Sequence, residues 1–158
     1  MNYYQASSTK PFHLSVGAIV LDENGNILCE HYDKLNEWED IYWLMHSTIN
    51  PNETLEQALH RGLKEEMGVT GEIISFVGVH NYKSEWFGET SSPVEVTKSI
   101  AYFTVRLISA DESLKSQDNS AYNSRVVALT KKELIQKMKI QYQKYLIDEL
   151  DESRVLAQ

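Results

Sequence analysis

The chain has 158 residues, 42% hydrophobic and 24% charged, so one folded domain can bury a core without disulfide bonds or a structural metal. Its formal net charge of −8 disfavours a nucleic-acid polymer as a partner, because an acidic surface repels phosphate unless a bound cation reverses the field locally. The single cysteine, Cys29, excludes an internal disulfide and fits a reducing cytosol, and no apolar run is long enough to cross a membrane.

We predict a single domain over residues 1–158, with residues 1–11 as an N-terminal arm. A strand is predicted from Phe12 to Val20. The Asn24-Gly25 pair that follows is typical of a hairpin turn, because that turn needs positive φ angles. The return strand covers 27–32 and a short apolar run lies at 41–44, while further strands are predicted at 73–80, 99–108 and 126–129.

Two amphipathic helices are predicted from capping boxes and apolar stripes. The first spans 54–67, begins with the capping box of Thr54 and Gln57, and ends at Gly68. Its apolar positions have the spacing of one helical face: Leu55, Ala58, Leu59, Leu63 and Met67. The second begins at Thr130 and has a stripe at strict i+4 steps: Leu134, Met138, Tyr142, Leu146 and Leu150. Strands combined with two helices indicate a mixed α/β layered domain.

The first helix carries residue types that suit a metal ion. Arg61 and Glu65 share a face, whereas the neighbours Glu65 and Glu66 diverge by about 100° around the helix axis. Mg²⁺ in proteins typically takes one or two carboxylates together with substrate phosphates. On chemistry alone, however, two glutamates near a helix end are more often a solvated face, and an arginine–glutamate pair is more often a surface ion pair.

The stretch around this helix resembles the Nudix box, whose pattern is G-x5-E-x7-R-E-U-x-E-E-x-G-U, where U is a bulky apolar residue. The matching positions are Glu53, Arg61, Leu63, Glu65, Glu66, Gly68 and Val69. Ser47 stands where the opening glycine belongs, and Gly62 stands where the glutamate after the arginine belongs. Outside the box, the strand with Gly17, the hairpin turn and the later strand that begins at Lys98 follow in the order of that family.

The resemblance implies the α/β fold of that family, an α/β/α sandwich with a mixed β-sheet, a signature loop and helix, and a C-terminal helix. It also implies hydrolysis of a diphosphate linkage in a small nucleoside diphosphate derivative, with Mg²⁺ or Mn²⁺ as cofactor. The cytoplasmic location is expected from the single cysteine. By resemblance, Glu65 and Glu66 bind the metal, Arg61 orients the carboxylates and Glu53 braces the loop. The predicted catalytic residues are therefore Glu53, Arg61 and Glu66.

Gly62 leaves the box one carboxylate short. The predicted enzyme would then bind metal more weakly, and Gly62→Glu is expected to strengthen metal binding. The competing interpretation is a Nudix-like domain with impaired catalysis that binds a nucleotide or a protein partner. The departures at His46, Ser47 and Gly62 favour that interpretation, whereas the retained glutamates favour the enzyme, because a scaffold has no physical need for paired carboxylates.

Residues outside the box supply further candidates. Candidates for the general base are the acidic residues of later loops, which are Glu85, Glu89, Glu95 and Asp118. Glu95 and Asp118 are preferred among them. His46 is a further candidate, because histidine titrates near neutrality. A nucleobase could stack on Trp86 and Phe87, or these rings could cover the core or a homodimer interface. Lys98 could meet a phosphate, although single lysines are more often surface charges.

Overall fold

The computed structural model describes residues 12–35, 38–86, 94–116 and 124–150; the predicted arm, 1–11, lies outside these ranges. The strands are β1 (Phe12–Leu21), β2 (Ile27–Leu35), β3 (Trp38–Trp43), β4 (His46–Thr48), β5 (Val69–Trp86), β6 (Val94–Ala110) and β7 (Ser124–Leu129). The helices are α1 (Leu55–Gly62), which a π-helical turn at Leu63–Met67 continues, a 3-10 turn at Glu112–Leu114, α2 (Lys131–Lys137) and α3 (Gln141–Asp148). None of the described helices is long and apolar enough to span a membrane.

The described strands form one mixed sheet in the order β3-β2-β1-β6-β5, with β7 added to β2 and β4 added to β1. The pair β1–β6 is parallel, from Phe12 opposite Thr97 to Leu21 opposite Arg106, whereas the other pairs are antiparallel. Strand β1 changes its partner on one edge along its length. Its end pairs with β2, and its earlier part pairs with β4, where Val16 lies opposite Ser47.

Helices pack on both faces of this sheet, which confirms the predicted sandwich. Because side chains alternate along a strand, β1 supplies both layers. Val16, Ala18 and Val20 pack with the buried residues of α1, while Ile19 and Leu21 pack in the layer that contains α2 and α3. Each fully buried aliphatic side chain contributes roughly 1.5–3 kcal/mol, so the first of these layers fixes α1 against the sheet.

Both ends of the first helix follow the sequence prediction. Thr54 Oγ1 accepts a hydrogen bond from the Gln57 N–H at 3.2 Å, and Gln57 Oε1 accepts one from the Thr54 N–H at 2.9 Å. Gly68 has a φ of 67° and ends the π-helical turn. Leu55 is an exception, because it is exposed and the buried stripe begins at Ala58.

The second predicted helix is wrong as one element, because it breaks between α2 and α3. Met138 has extended backbone angles (φ −68°, ψ 130°). A stripe at strict i+4 steps turns by about 40° per step around a helix, so four steps cover about 160° and one straight helix could not bury them all. The break lets Leu134, Met138 and Ile147 all reach the core.

Two buried residues stabilise the segment that leads into β4. Gln143 on α3 is fully buried, and its Oε1 accepts a hydrogen bond from the Leu44 N–H at 3.0 Å. Its Nε2 donates to the Tyr102 hydroxyl at 3.3 Å. Helix α3 thereby holds the backbone just before His46 and Ser47. Cys29 is buried, as the sequence predicts for a small core residue, and burial raises the pKa of its thiol to about 12.

Candidate active site beside helix α1

Arg61 holds the loop that precedes α1 against that helix. Its Nε donates to Glu53 Oε1 at 2.7 Å and its Nη2 donates to Glu53 Oε2 at 2.9 Å, which is a bidentate pair. Nη2 also donates to the Thr48 carbonyl oxygen at 2.7 Å, and Nη1 donates to Glu65 Oε2 at 3.0 Å. The guanidinium hydrogen bonds lower the pKa of Glu53 to about 2. Glu53 and Arg61 therefore lie where the bracing and orienting roles would require them.

Glu65 and Glu66 lie in one cleft of about 500 Å³ beside α1. The side chains of Glu65 and Arg61 are 46% and 24% exposed, so the pair is open to a ligand from one side. The lining also includes residues from β4 and β6, which are His46, Ser47, Thr48 and Lys98, together with Asn50 and Ser116. The structure thus brings together Glu65, Glu66, Arg61 and the predicted substrate residue Lys98.

A buried carboxyl on β2, Glu30, lies close enough to interact electrostatically with Glu66. Glu30 is 4% exposed, and its Oε1 accepts hydrogen bonds from the Tyr32 hydroxyl at 3.1 Å and from Ser124 Oγ at 3.4 Å. Burial raises the pKa of Glu30 to about 7. Burial, and then repulsion by Glu30, raises the pKa of Glu66 to about 7. Sequence reasoning missed Glu30, although a glutamate within an apolar strand was a usable signal.

The donor set fits a divalent cation that keeps part of its water shell. Two carboxylates of one cleft are available, and the repulsion that raises the pKa of Glu66 is an effect that a cation would relieve. Within the described ranges, no group of three or more His, Cys, Asp or Glu side chains is arranged to hold a metal. Glu65 and Glu66 are two carboxylates in the lining of this cleft that could donate oxygen to such a cation, and water or substrate oxygen would complete the shell.

Ser47 explains why position 62 is a glycine. A Cβ added at Gly62 would lie 2.7 Å from Ser47 Cβ and 3.4 Å from Met45 Sδ, and the first distance is shorter than carbon atoms pack. The β1–β4 ladder fixes Ser47, and Arg61 Nη1 donates to its Oγ at 3.3 Å. The two departures from the box are thus linked: a larger residue at position 47 is accompanied by a smaller one at position 62. The expectation that Gly62→Glu alone strengthens metal binding needs correction, because that side chain has no room beside Ser47.

His46 and Lys98 line the cleft together with Glu66. Trp43 Nε1 donates to His46 Nδ1 at 2.5 Å. Burial, followed by the charge of Lys98, lowers the pKa of His46 to about 3. The Nδ1 lone pair is thus already engaged, which does not suit the role of general base suggested for His46. Burial lowers the pKa of Lys98, while the charge of Glu66 acts in the opposite direction.

The remaining candidates for the general base and for base stacking are not found in the described lining of this cleft. Glu95 forms an ion pair with Lys83 at 2.9 Å, with 65% of its side chain exposed, and it does not line the cleft. Trp86 is the last residue of β5, but its side chain lies outside the part of the molecule that the structure describes. Phe87, Glu89 and Asp118 lie outside the described residues altogether, as does the side chain of Glu85.

Known proteins resemble this chain over most of its length. A family model described as NUDIX domain matches residues 11–149. The chain is 24% identical to the RNA pyrophosphohydrolase of Pasteurella multocida (strain Pm70), over 85% of this chain and 75% of that protein. Its fold is similar to that of a NUDIX hydrolase from Nitrosomonas europaea, with a TM-score of 0.65, 16% identity and 86% of each chain covered. A MutT protein from Methanosarcina mazei Go1 gives a TM-score of 0.58 at 17% identity, over 90% of this chain and 94% of that one.

The steric exchange between Ser47 and Gly62 predicts a reciprocal rescue. Gly62→Glu alone should destabilise the protein by about 1–3 kcal/mol, the usual cost of overpacking. The double variant Ser47→Gly/Gly62→Glu should recover most of that loss and bind Mn²⁺ more tightly than the wild type. Thermal unfolding and Mn²⁺ titration measure the two effects. A stable Gly62→Glu protein with tightened Mn²⁺ binding would show that Ser47 does not block the position.

The buried Glu30 carboxyl predicts a pH-dependent stability. The pKa of Glu30 is about 7 in the folded protein, raised from the ordinary value of 4.5. Ionisation of Glu30 therefore costs stability, and this stability is lost as the pH rises from 4.5 to about 7. With EDTA present, Glu30→Gln should gain melting temperature relative to the wild type from about pH 5 to about pH 8, at about 2–4 °C per kcal/mol. A melting-temperature difference that is the same at both pH values would argue against a protonated Glu30.

Proposed function

The chain belongs to the NUDIX domain family, and we propose that it is a pyrophosphohydrolase that cleaves a diphosphate linkage in a nucleoside diphosphate derivative. The observation that carries the proposal is the cleft in which Glu65 and Glu66 lie beside Arg61, with Lys98 in the same lining. A cleft with adjacent carboxylates and a half-buried ammonium suits a substrate that combines a metal ion with phosphate oxygens. The relative from Pasteurella multocida supports the same reaction class by its name.

Glu65 and Glu66 would hold Mg²⁺ or Mn²⁺, which supplies charge neutralisation at phosphate and a more acidic bound water. Arg61 keeps Glu65 in place through its 3.0 Å hydrogen bond, and the bidentate pair with Glu53 keeps Arg61 in place. Lys98 contributes a positive charge for a phosphate oxygen. Ser47 hydrogen bonds Glu66 and thereby favours its ionised form, which is the form that binds a cation.

A second substrate, the 5′ end of an RNA, is favoured by one observation, the name of the RNA pyrophosphohydrolase relative. The net charge of −8 counts against long contacts with a polynucleotide, so we place a small nucleotide first. A cytosolic location fits the free, buried thiol of Cys29. The predicted homodimer and the predicted single domain stay predictions.

Hydrolysis should depend on Glu66 and on a divalent cation. A panel of nucleoside diphosphate derivatives and a 5′-triphosphate RNA is assayed with Mg²⁺, with Mn²⁺ and with EDTA. Glu66→Gln should lower kcat/KM on the order of a hundredfold or more, because it removes a charged ligand. The matched control is Glu23→Gln in the exposed turn between β1 and β2, which should leave kcat/KM unchanged.

The same assay separates the competing functions. Turnover that survives EDTA, or that Glu66→Gln leaves intact, would contradict the proposed site. A protein that binds nucleotides tightly but turns over none of the panel would instead be the impaired, ligand-binding form of the domain. Preference for the RNA over every small nucleotide would move the substrate to RNA 5′ ends.

A further inference from the structure

His46 and Trp43 form a polar ring pair at the cleft that the proposed function leaves without a role. His46 lies at the start of β4 and lines the cleft. Trp43, the last residue of β3, donates its Nε1–H to His46 Nδ1 at 2.5 Å. The two ring planes are within 11° of parallel and their centroids are 5.0 Å apart.

This hydrogen bond decides where the imidazole proton lies. The indole nitrogen is a donor and never an acceptor, so Nδ1 must be the unprotonated nitrogen. A neutral imidazole then carries its hydrogen on Nε2. The Leu44 carbonyl oxygen also lies within hydrogen-bond distance of Nδ1, at 3.4 Å, but the contact with the indole nitrogen is the shorter one at 2.5 Å, so we assign Nδ1 to the Trp43 donor. Among the described residues, no acceptor is found for the Nε2 hydrogen.

The surroundings keep the ring neutral. Burial and the neighbouring charges of Lys98 and His13 oppose protonation of His46 and lower its pKa to about 3. Lys98 forms no salt bridge within the described residues, although Glu66 attracts its charge. An N–H donor and an ammonium thus share one cleft, and an anionic oxygen can accept from both.

We propose that His46 is a neutral hydrogen-bond donor, through Nε2–H, to an oxygen of the substrate diphosphate, and that Trp43 is a positioning residue that fixes this tautomer. The proposal rests on the proposed function, because it assigns a role at the same cleft. It gives His46 the opposite role to that of a general base, since the ring offers a proton and has no free lone pair.

The tautomer is measured directly in the unliganded protein. Two-bond ¹H–¹⁵N spectra of labelled wild-type protein should show His46 protonated at Nε2 and not at Nδ1, without change down to about pH 5.5. Trp43→Phe keeps an aromatic ring but removes the N–H, so the Nδ1-protonated or doubly protonated form should appear. Wild-type protein with a proton on Nδ1, or an unchanged tautomer in Trp43→Phe, would overturn the proposal.

Binding is tested with inorganic pyrophosphate and Mg²⁺, followed by calorimetry. His46→Leu should weaken binding roughly tenfold, the loss expected for one hydrogen bond to a charged acceptor. His46→Gln should retain most of the affinity, because its amide supplies an N–H donor in place of Nε2. The matched control is His60→Leu on the outer side of α1, which should bind as the wild type does.

Equal affinity for the wild type and His46→Leu, or equally weak binding by His46→Gln and His46→Leu, would overturn the donor role. If His46→Leu fails to fold, the wild-type spectra must show the Nε2–H resonance shift on adding pyrophosphate, and an unshifted resonance overturns the role. Neither measurement uses turnover. Absence of hydrolytic activity in every assay would therefore contradict the proposed function, whereas the donor role of His46 is decided independently by the spectra and the binding data.

Discussion

The hydrogen bonds of the Arg61 guanidinium are the constraint on which the cleft depends. They join Glu53 in the loop before α1, the Thr48 carbonyl at the end of β4, and Glu65 one turn further along the helix. Hydrogen bonds to charged groups are stronger than those between neutral groups, and removing one partner leaves the other charge without its hydrogen bonds. Glu53 and Arg61 are 19% and 24% exposed, so solvent screens them only in part. The loop and the carboxylates of the helix therefore form one rigid unit.

Ser47 shows how a motif can change at two places without losing its geometry. Its position is set by the pairing with Val16, so it cannot retreat from α1. A side chain on Gly62 would meet it at 2.7 Å, yet the serine hydroxyl accepts from Arg61 and hydrogen bonds Glu66. A glycine inside a helix costs about 1 kcal/mol relative to alanine, and that cost is the consequence of keeping the serine. The site thus lacks the carboxylate that the box has at position 62 and has instead the hydroxyl of Ser47, which orients the carboxylate of Glu66.

Local chemistry is the part of the structure that the sequence could predict. Capping boxes at Thr54 and Thr130, the left-handed Gly68 and the spacing of Arg61 to Glu65 depend on residues within one or two turns. Glu30 depends instead on the antiparallel pairing of β2 with β7, where it lies opposite Val126. The Trp43–His46 hydrogen bond depends on how α3 holds the intervening backbone through Gln143. Such features depend on segments that are far apart in the sequence, so no local sequence pattern predicts how close their side chains lie.

The electrostatics of the cleft favour a ligand that carries both signs of charge. Burial raises the pKa of both Glu30 and Glu66 to about 7, and the charge of Glu30 adds to the rise at Glu66, which favours a cation beside Glu66. Lys98, by contrast, offers a positive charge, and a free phosphate would meet the carboxylates as well. A metal–diphosphate complex would present its cation to the carboxylates and its oxygens to Lys98. A cleft with this division of charge also explains how a chain of net charge −8 can attract a polyanion at one place.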